Sequence, residues 1–244
     1  MENYFFEEML VEESSINVQN LGKERNFDGF NKISLELSTE NAVRLKRRAG
    51  SYVTFNVTGD YSKTALVYEL SRSICCLMDK YYKKPSSVLL VGLGNENVVA
   101  DSLGASTVRK INPKTKIRLQ KFCPSVKGVT NIDSVSLVKS VVMAEKPDLI
   151  IVIDSLATRD FSKLVSSVQL TDSGIVAGGG VTKSEKLFAL STMGVPVVAV
   201  GVPMIINLVG ENTFGKKFLC PHNVDVFIDK ISDILAKSIT SALK

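Results

Sequence analysis

The chain has 244 residues, 45% hydrophobic and 23% charged, with 30 basic and 25 acidic side chains and a formal net charge of +5. That is the composition of an ordinary soluble globular protein, able to bury a full core as one large domain or as one domain with a small appendage. The long apolar stretch VPVVAVGVPMIINLVG is broken by Pro196, Gly201, Pro203 and Asn207, short of the roughly 18 uninterrupted residues a spanning helix needs, so no membrane association is expected.

The start, MENYFFEEMLVEESS, has no positive region ahead of its apolar residues, so no secretory signal is expected and the cytoplasm is the expected compartment. Its first fourteen residues carry Glu2, Glu7, Glu8, Glu12 and Glu13 and no base, and a mixed polar stretch leads to the basic cluster RLKRR at Arg44–Arg48. Residues 1–50 read as a partly ordered amino-terminal arm, and residues 51–244 as an α/β domain. The basic cluster reads as a solvated face, so no direct nucleic-acid contact is expected. The acidic segment reads either as a solubilising tail or as an internal latch over a basic-rimmed cleft.

From Ser51 the pattern is regular. SYVTFNV is rich in β-branched and aromatic residues and predicts a strand, and YSKTALVYELSRSICCLMDKYY has the apolar spacing of a helix. SVLLVGLG predicts a buried strand, ADSLGASTVRKI a helix, KIRLQKF a strand, IDSVSLVKSVVMAEK a helix and PDLIIVID another buried strand. After the glycine-rich VAGGGVTK come a short helix around SEKLFALSTM, the strand VPVVAVG and a helix near DVFIDKISDILAKSI. Continuous apolar strands alternating with helices predict a three-layer α/β domain with a mainly parallel sheet.

The usual nucleotide motifs fail. GLGNEN has Asn97 where a dinucleotide fingerprint needs its third glycine, and no phosphate-loop spacing occurs. The single histidine, His222, argues against serine or cysteine triads and multi-histidine zinc sites. Cys75 and Cys76 are adjacent while Cys123 and Cys220 stand alone, which is neither a disulfide framework nor a metal spacing and reads as buried thiols.

The acid–base groups left are carboxylates. Asp154 closes the run DLIIVID, and Asp101 follows the preceding buried strand by one loop. In a parallel sheet the carboxyl ends of strands form the ligand crevice, where two acids can share a proton and activate water. The alternative is that Asp101 caps the following helix and Asp154 caps a turn before SLATRDF; local pattern leaves both open.

At these residues the chain resembles the spore germination protease family, endopeptidases of small acid-soluble spore proteins. The resemblance rests on GSYVTFNV, LLVGLGNENVVADSLG, KPDLIIVIDSLATRDFSKLVSSVQLTDSGIVAGGGV and MGVPVVAVGVP, spanning about Gly50 to Val209. It implies a fold shared with the hydrogenase maturation proteases and an atypical aspartic-type site in which Asp101 and Asp154 are the catalytic acids. It further implies substrate contacts from Asn95, from Arg159, which can grip a carboxylate or pair with Asp160 on the surface, and from Gly178, Gly179 and Gly180 in a loop beside the cleft. A spore protein substrate, a homo-oligomer, a location in the spore-forming cell or spore core, and chemistry without a metal or organic cofactor follow from the same likeness. Two alternatives stand beside it: a nickel-linked maturation protease and a non-proteolytic sporulation protein that keeps the scaffold. The nickel reading is disfavoured because Ser102, not a glutamate, follows Asp101, and no histidine lies between it and Asp154.

Overall fold

The computed structural model describes residues 22–45, 47–177, 187–208 and 217–244. In chain order these form β1 (Gly22–Phe27), β2 (Phe30–Leu37), α1 (Thr39–Arg44), β3 (Gly50–Val57), α2 (Lys63–Asp79), β4 (Ser87–Gly92), α3 (Leu103–Lys110), β5 (Arg118–Phe122) and α4 (Lys127–Thr130). They continue with α5 (Ser134–Glu145), β6 (Leu149–Thr158), β7 (Ser167–Thr171), β8 (Ile175–Val176), β9 (Leu187–Phe188), α6 (Leu190–Met193), β10 (Val197–Leu208), β11 (Lys217–Leu219) and α7 (Val224–Ala242).

Among the described residues nine strands make one sheet, ordered β1-β2-β3-β7-β10-β6-β4-β5, with β11 added to β10. The β10, β6, β4 and β5 half is parallel, while β1, β2, β3 and β7 form an antiparallel wing joined to β10. The parallel half follows from its sequence, because SVLLVG in β4 is buried throughout and only a sheet covered on both faces can bury every residue of a strand. Helices supply that cover. Leu70 and Ile74 of α2, Val108 of α3 and Leu235 and Ile239 of α7 pack on one face with Leu90, Ile151 and Ile153. Val135, Val138 and Val142 of α5 pack on the other with Leu89, Val91, Ile150 and Val152. Side chains alternate along β6, so even-numbered residues, Asp154 included, face the α5 layer.

Four local expectations change. The stretch before Gly50, read as an arm, supplies β1 and β2 where it is described. They turn at Asp28–Gly29 with Phe27 opposite Phe30, whose rings stack at 4.6 Å. Gly29 has φ +76° and a Cβ there would overlap the Asp60 carbonyl, so the turn requires glycine. Second, β6 does not end at Asp154 but runs on to Thr158, because β10 extends as far and pairs with it through Ile206; Pro203, which lacks an N–H, is absorbed by a register shift before Ile205. Third, of the SEKLFALSTM stretch the described residues form only the short helix α6, and Leu187–Phe188 pair with β8. Fourth, the thiols are not uniformly buried: Cys76 and Cys220 are exposed, and all four are free. No helix among the described residues is long and apolar enough to cross a membrane.

Candidate active site

The site begins where β4 stops. Gly92 lies opposite Ile153 of β6, and the next N–H, that of Leu93, still donates to the Ile153 carbonyl at 2.9 Å. Gly94 then takes φ +102°, and a Cβ on it would collide with the carbonyl oxygen of Asp101. The chain therefore leaves the sheet and folds back on itself. Within that loop the Val98 N–H donates to the Asn95 carbonyl at 3.0 Å and the Asp101 N–H to the Val98 carbonyl at 2.8 Å. Asp101 ends a single 3-10 turn, Val99–Asp101, and its Oδ2 accepts the Asn95 N–H at 2.7 Å.

Asp101 is thus not a helix cap. Its carboxylate bonds backward to Asn95, and α3 starts after Ser102 with no side-chain cap bond. The start of α3 is instead fixed by close backbone contact: a Cβ on Gly92 would lie 2.6 Å from the Gly104 carbonyl carbon and oxygen, and one on Gly104 would overlap the Ile153 and Leu93 carbonyl oxygens. The close helix–strand approach that the third glycine gives a dinucleotide fold is supplied here by Gly104, a residue absent from the sequence-based candidates; its signal was a glycine in the first turn of a helix, where it costs helix stability.

Asp154 sits one residue beyond the Ile153–Leu93 hydrogen bond and is 5% exposed. It is not a turn cap either, since β6 continues past it; its Oδ1 accepts the N–H of Ser155 at 2.9 Å. Burial pushes the Asp154 carboxyl well above the usual carboxylate range, and the negative charge of Asp101 pushes it further, against the Ser155 N–H. The Asp101 carboxyl is also raised by burial, but the Asn95 N–H opposes the shift. The two environments drive the acids apart: Asp154 holds a proton more tightly and Asp101 is the better anion. Ser155 Oγ, on the opposite face of β6 from Asp154, is buried with no hydrogen-bond partner among the described residues.

The other sequence candidates fall at different distances. Asn95 meets Asp101 through its backbone, while its side-chain Oδ1 accepts the Asn97 N–H at 3.0 Å. Asn95→Ala keeps the bond to Asp101 and loses only the turn, so it should reduce turnover less than Asp101→Asn; equal losses in steady-state assays would give the Asn95 side chain a direct part in substrate binding. Arg159 is exposed just past β6, about 16 Å along an extended strand from Asp154, too far to grip that carboxylate. Gly178, Gly179 and Gly180 lie outside the described residues. His222 is exposed in the turn before α7.

Ser51 and Lys80 form another polar pair away from the two acids. Lys80 Nζ donates to Ser51 Oγ, the arrangement of serine–lysine hydrolases, whose lysine must be neutral to act as base. Lys80 also binds Glu36 at 3.0 Å and Asp172 at 3.0 Å. Burial alone would lower its pKa, but the hydrogen bonds and charges of Glu36 and Asp172 outweigh that and raise it. The lysine stays protonated and cannot act as base. The Ser51 hydroxyl donates to Glu36, a weak base: burial raises its carboxyl, but the hydrogen bonds from Ser51 and Lys80 and the Lys80 charge outweigh that and hold it below the usual range. The cluster ties α2, β2, β3 and the end of β7 together, and Ser51→Ala should leave turnover per folded molecule unchanged; loss of turnover with the fold intact would move the nucleophile to Ser51. Among the described residues no group of three or more His, Cys, Asp or Glu is placed to hold a metal ion.

An α/β protein with a half-parallel sheet, carrying two coupled carboxylates where one central strand ends and its neighbour continues, is the class that fold and site define. Residues 6–214 match the family profile described as germination protease, and the chain belongs to that family. It is 34% identical to the germination protease of Oceanobacillus iheyensis over 90% of this chain and 65% of that protein. The corresponding figures are 31%, 77% and 56% for the Bacillus subtilis protein, and 29%, 82% and 59% for that of a Geobacillus strain. The chain thus spans about three fifths of the length of the curated relatives it matches. Among solved structures, a [NiFe] hydrogenase maturation protease from Thermococcus kodakarensis aligns with a TM-score of 0.42 and 14% identity, over 67% of this chain and 98% of the other.

Proposed function

We propose that the protein is an endopeptidase that hydrolyses small acid-soluble spore proteins during germination, using Asp101 and Asp154 as an aspartic-type pair. The observation that carries this reading is the pairing of the two acids: Asp154 is buried and pushed up by burial and by the Asp101 charge, while Asp101, also raised by burial, is raised against the opposing Asn95 N–H. Family membership supports the protein substrate and the spore-forming cell.

In the proposed reaction the ionised Asp101 takes a proton from water as its oxygen attacks the peptide carbonyl carbon, while protonated Asp154 gives its proton to the carbonyl oxygen. Collapse of the resulting diol returns a proton to Asp154, and Asp101 passes its proton to the departing amide nitrogen as the C–N bond breaks. Arg159 binds an acidic side chain of the substrate rather than either catalytic acid. We place the enzyme in the cytoplasm of the spore-forming cell or in the spore core, as a homo-oligomer.

Incubation of the purified chain with a small acid-soluble spore protein, followed by mass spectrometry of the fragments, tests the reading. Discrete internal cleavage that Asp101→Asn removes is expected. Intact substrate, or cleavage that persists in a correctly folded Asp101→Asn protein, would overturn it. Arg159→Lys keeps the charge but loses the two-pronged grip, so KM should rise with kcat little changed; an unaltered KM would return Arg159 to a surface role.

A further inference from the structure

Beyond Asp154, strand β6 has a partner strand on one side only among the described residues. It pairs with β10 through Thr158, but its ladder with β4 ends at Gly92 opposite Ile153, where the chain turns off into the Asn95–Asp101 loop. Residues Ser155–Thr158 therefore present a strand edge that no described strand covers. In a parallel ladder the N–H and C=O of one residue face one neighbour, and those of the next residue face the other. The Ile150 N–H goes to Pro196, on the β10 side, and the Ile153 carbonyl receives the Leu93 N–H, on the β4 side. By that alternation Ser155 and Ala157 turn their backbone groups toward the open edge. The Ser155 N–H is taken by Asp154 itself, which leaves the Ser155 carbonyl and both backbone groups of Ala157. Both residues are part-exposed, whereas Leu156 and Thr158 are buried.

From this geometry we propose that β6 is the substrate-docking strand: an extended segment of the protein substrate adds to the edge Ser155–Thr158, in the place β4 vacates. This inference rests on the proposed peptidase activity. The occupant is an extended polypeptide because an open strand edge offers backbone hydrogen bonds at a two-residue repeat, which only another extended backbone satisfies. The edge starts at Asp154, and the loop that displaces β4 carries Asp101. A peptide laid along it brings one of its own carbonyls between the two acids. Such docking selects unfolded or locally extended segments and holds them mainly by their main chain.

The test uses the full chain as Asp154→Asn, to bind without turnover, with an intact small acid-soluble spore protein at saturation and residue-resolved hydrogen exchange as the readout. The Ala157 amide should exchange quickly alone and slow roughly tenfold or more when substrate is bound, while Leu156 and Thr158, bonded to β10, stay protected throughout. In parallel, a substrate peptide N-methylated at single positions should show KM rises of roughly three- to tenfold at every second residue with the wild-type chain, the loss of one hydrogen bond each time. An Ala157 amide already protected without substrate overturns the proposal. So does an unchanged Ala157, or a methylation scan without the two-residue repeat, when the wild-type chain cleaves the spore protein; the peptidase reading then survives. Absence of both cleavage and protection defeats the two together.

Discussion

Asp154→Asn should remove most cleavage and at the same time make the folded chain more stable at neutral pH. A positioned general acid contributes on the order of 10²–10⁴-fold to rate, and asparagine cannot donate that proton. The stability gain follows from linkage. Above about pH 4 an unfolded chain has released its aspartate protons, whereas burial and the Asp101 charge keep Asp154 protonated when folded. The folded state binds the extra proton in that window, so wild-type stability falls as pH rises from the ordinary aspartate value through the raised one. Asparagine still accepts the Ser155 N–H and carries no such slope. Urea unfolding at several pH values should show the variant's advantage widening with pH; parallel curves would mean that Asp154 is not perturbed.

Gly104→Ala should damage both stability and turnover. The added Cβ would lie 2.6 Å from the Leu93 nitrogen and overlap two carbonyl oxygens, all backbone atoms that cannot rotate away. Overpacking of this kind costs about 1–3 kcal/mol, visible as a lowered unfolding midpoint. Relief requires α3 to lift from the β4–β6 junction, carrying Asp101 with it. A displacement of about 1 Å in such a group costs on the order of 10²-fold in rate, so kcat should fall more than the lost stability explains. Gly128, where a new Cβ meets nothing within 4 Å, serves as the control, and Gly128→Ala should leave activity intact.

The parallel half of the sheet was legible in the sequence because its strands are doubly buried and their apolar runs are unbroken, as SVLLVG and LIIVI are. The acids were legible as positions, but a cap and a catalytic carboxylate have the same local pattern; the strand pairing past Asp154 and the backward bond from Asp101 to Asn95 remove the cap reading. Of the antiparallel wing, SYVTFNV was read as a strand but the outer pair β1 and β2 was not: GKERNF has a single apolar residue, Phe27, and FNKISLEL alternates apolar and polar only from Ile33, although the Asp28–Gly29 turn between two phenylalanines is a hairpin signal. The far half of β6 was missed for a related reason: Ser155, Ala157 and Thr158 have no strand-like run of their own and are extended because β10 pairs with them. Gly104 went unread because close approach between two backbones leaves no trace in side-chain pattern.

Carbon-13 carboxyl NMR titration of the aspartates in the folded chain tests the central claim, a pair of acids sharing one proton, most directly. The Asp154 carboxyl should stay protonated well above the ordinary aspartate range while Asp101 ionises first, and Asp101→Asn should move the Asp154 transition down without returning it to normal, because burial is the larger cause of its shift. Two independent transitions at ordinary aspartate values, with Asp154 indifferent to the loss of the Asp101 charge, would contradict the pairing.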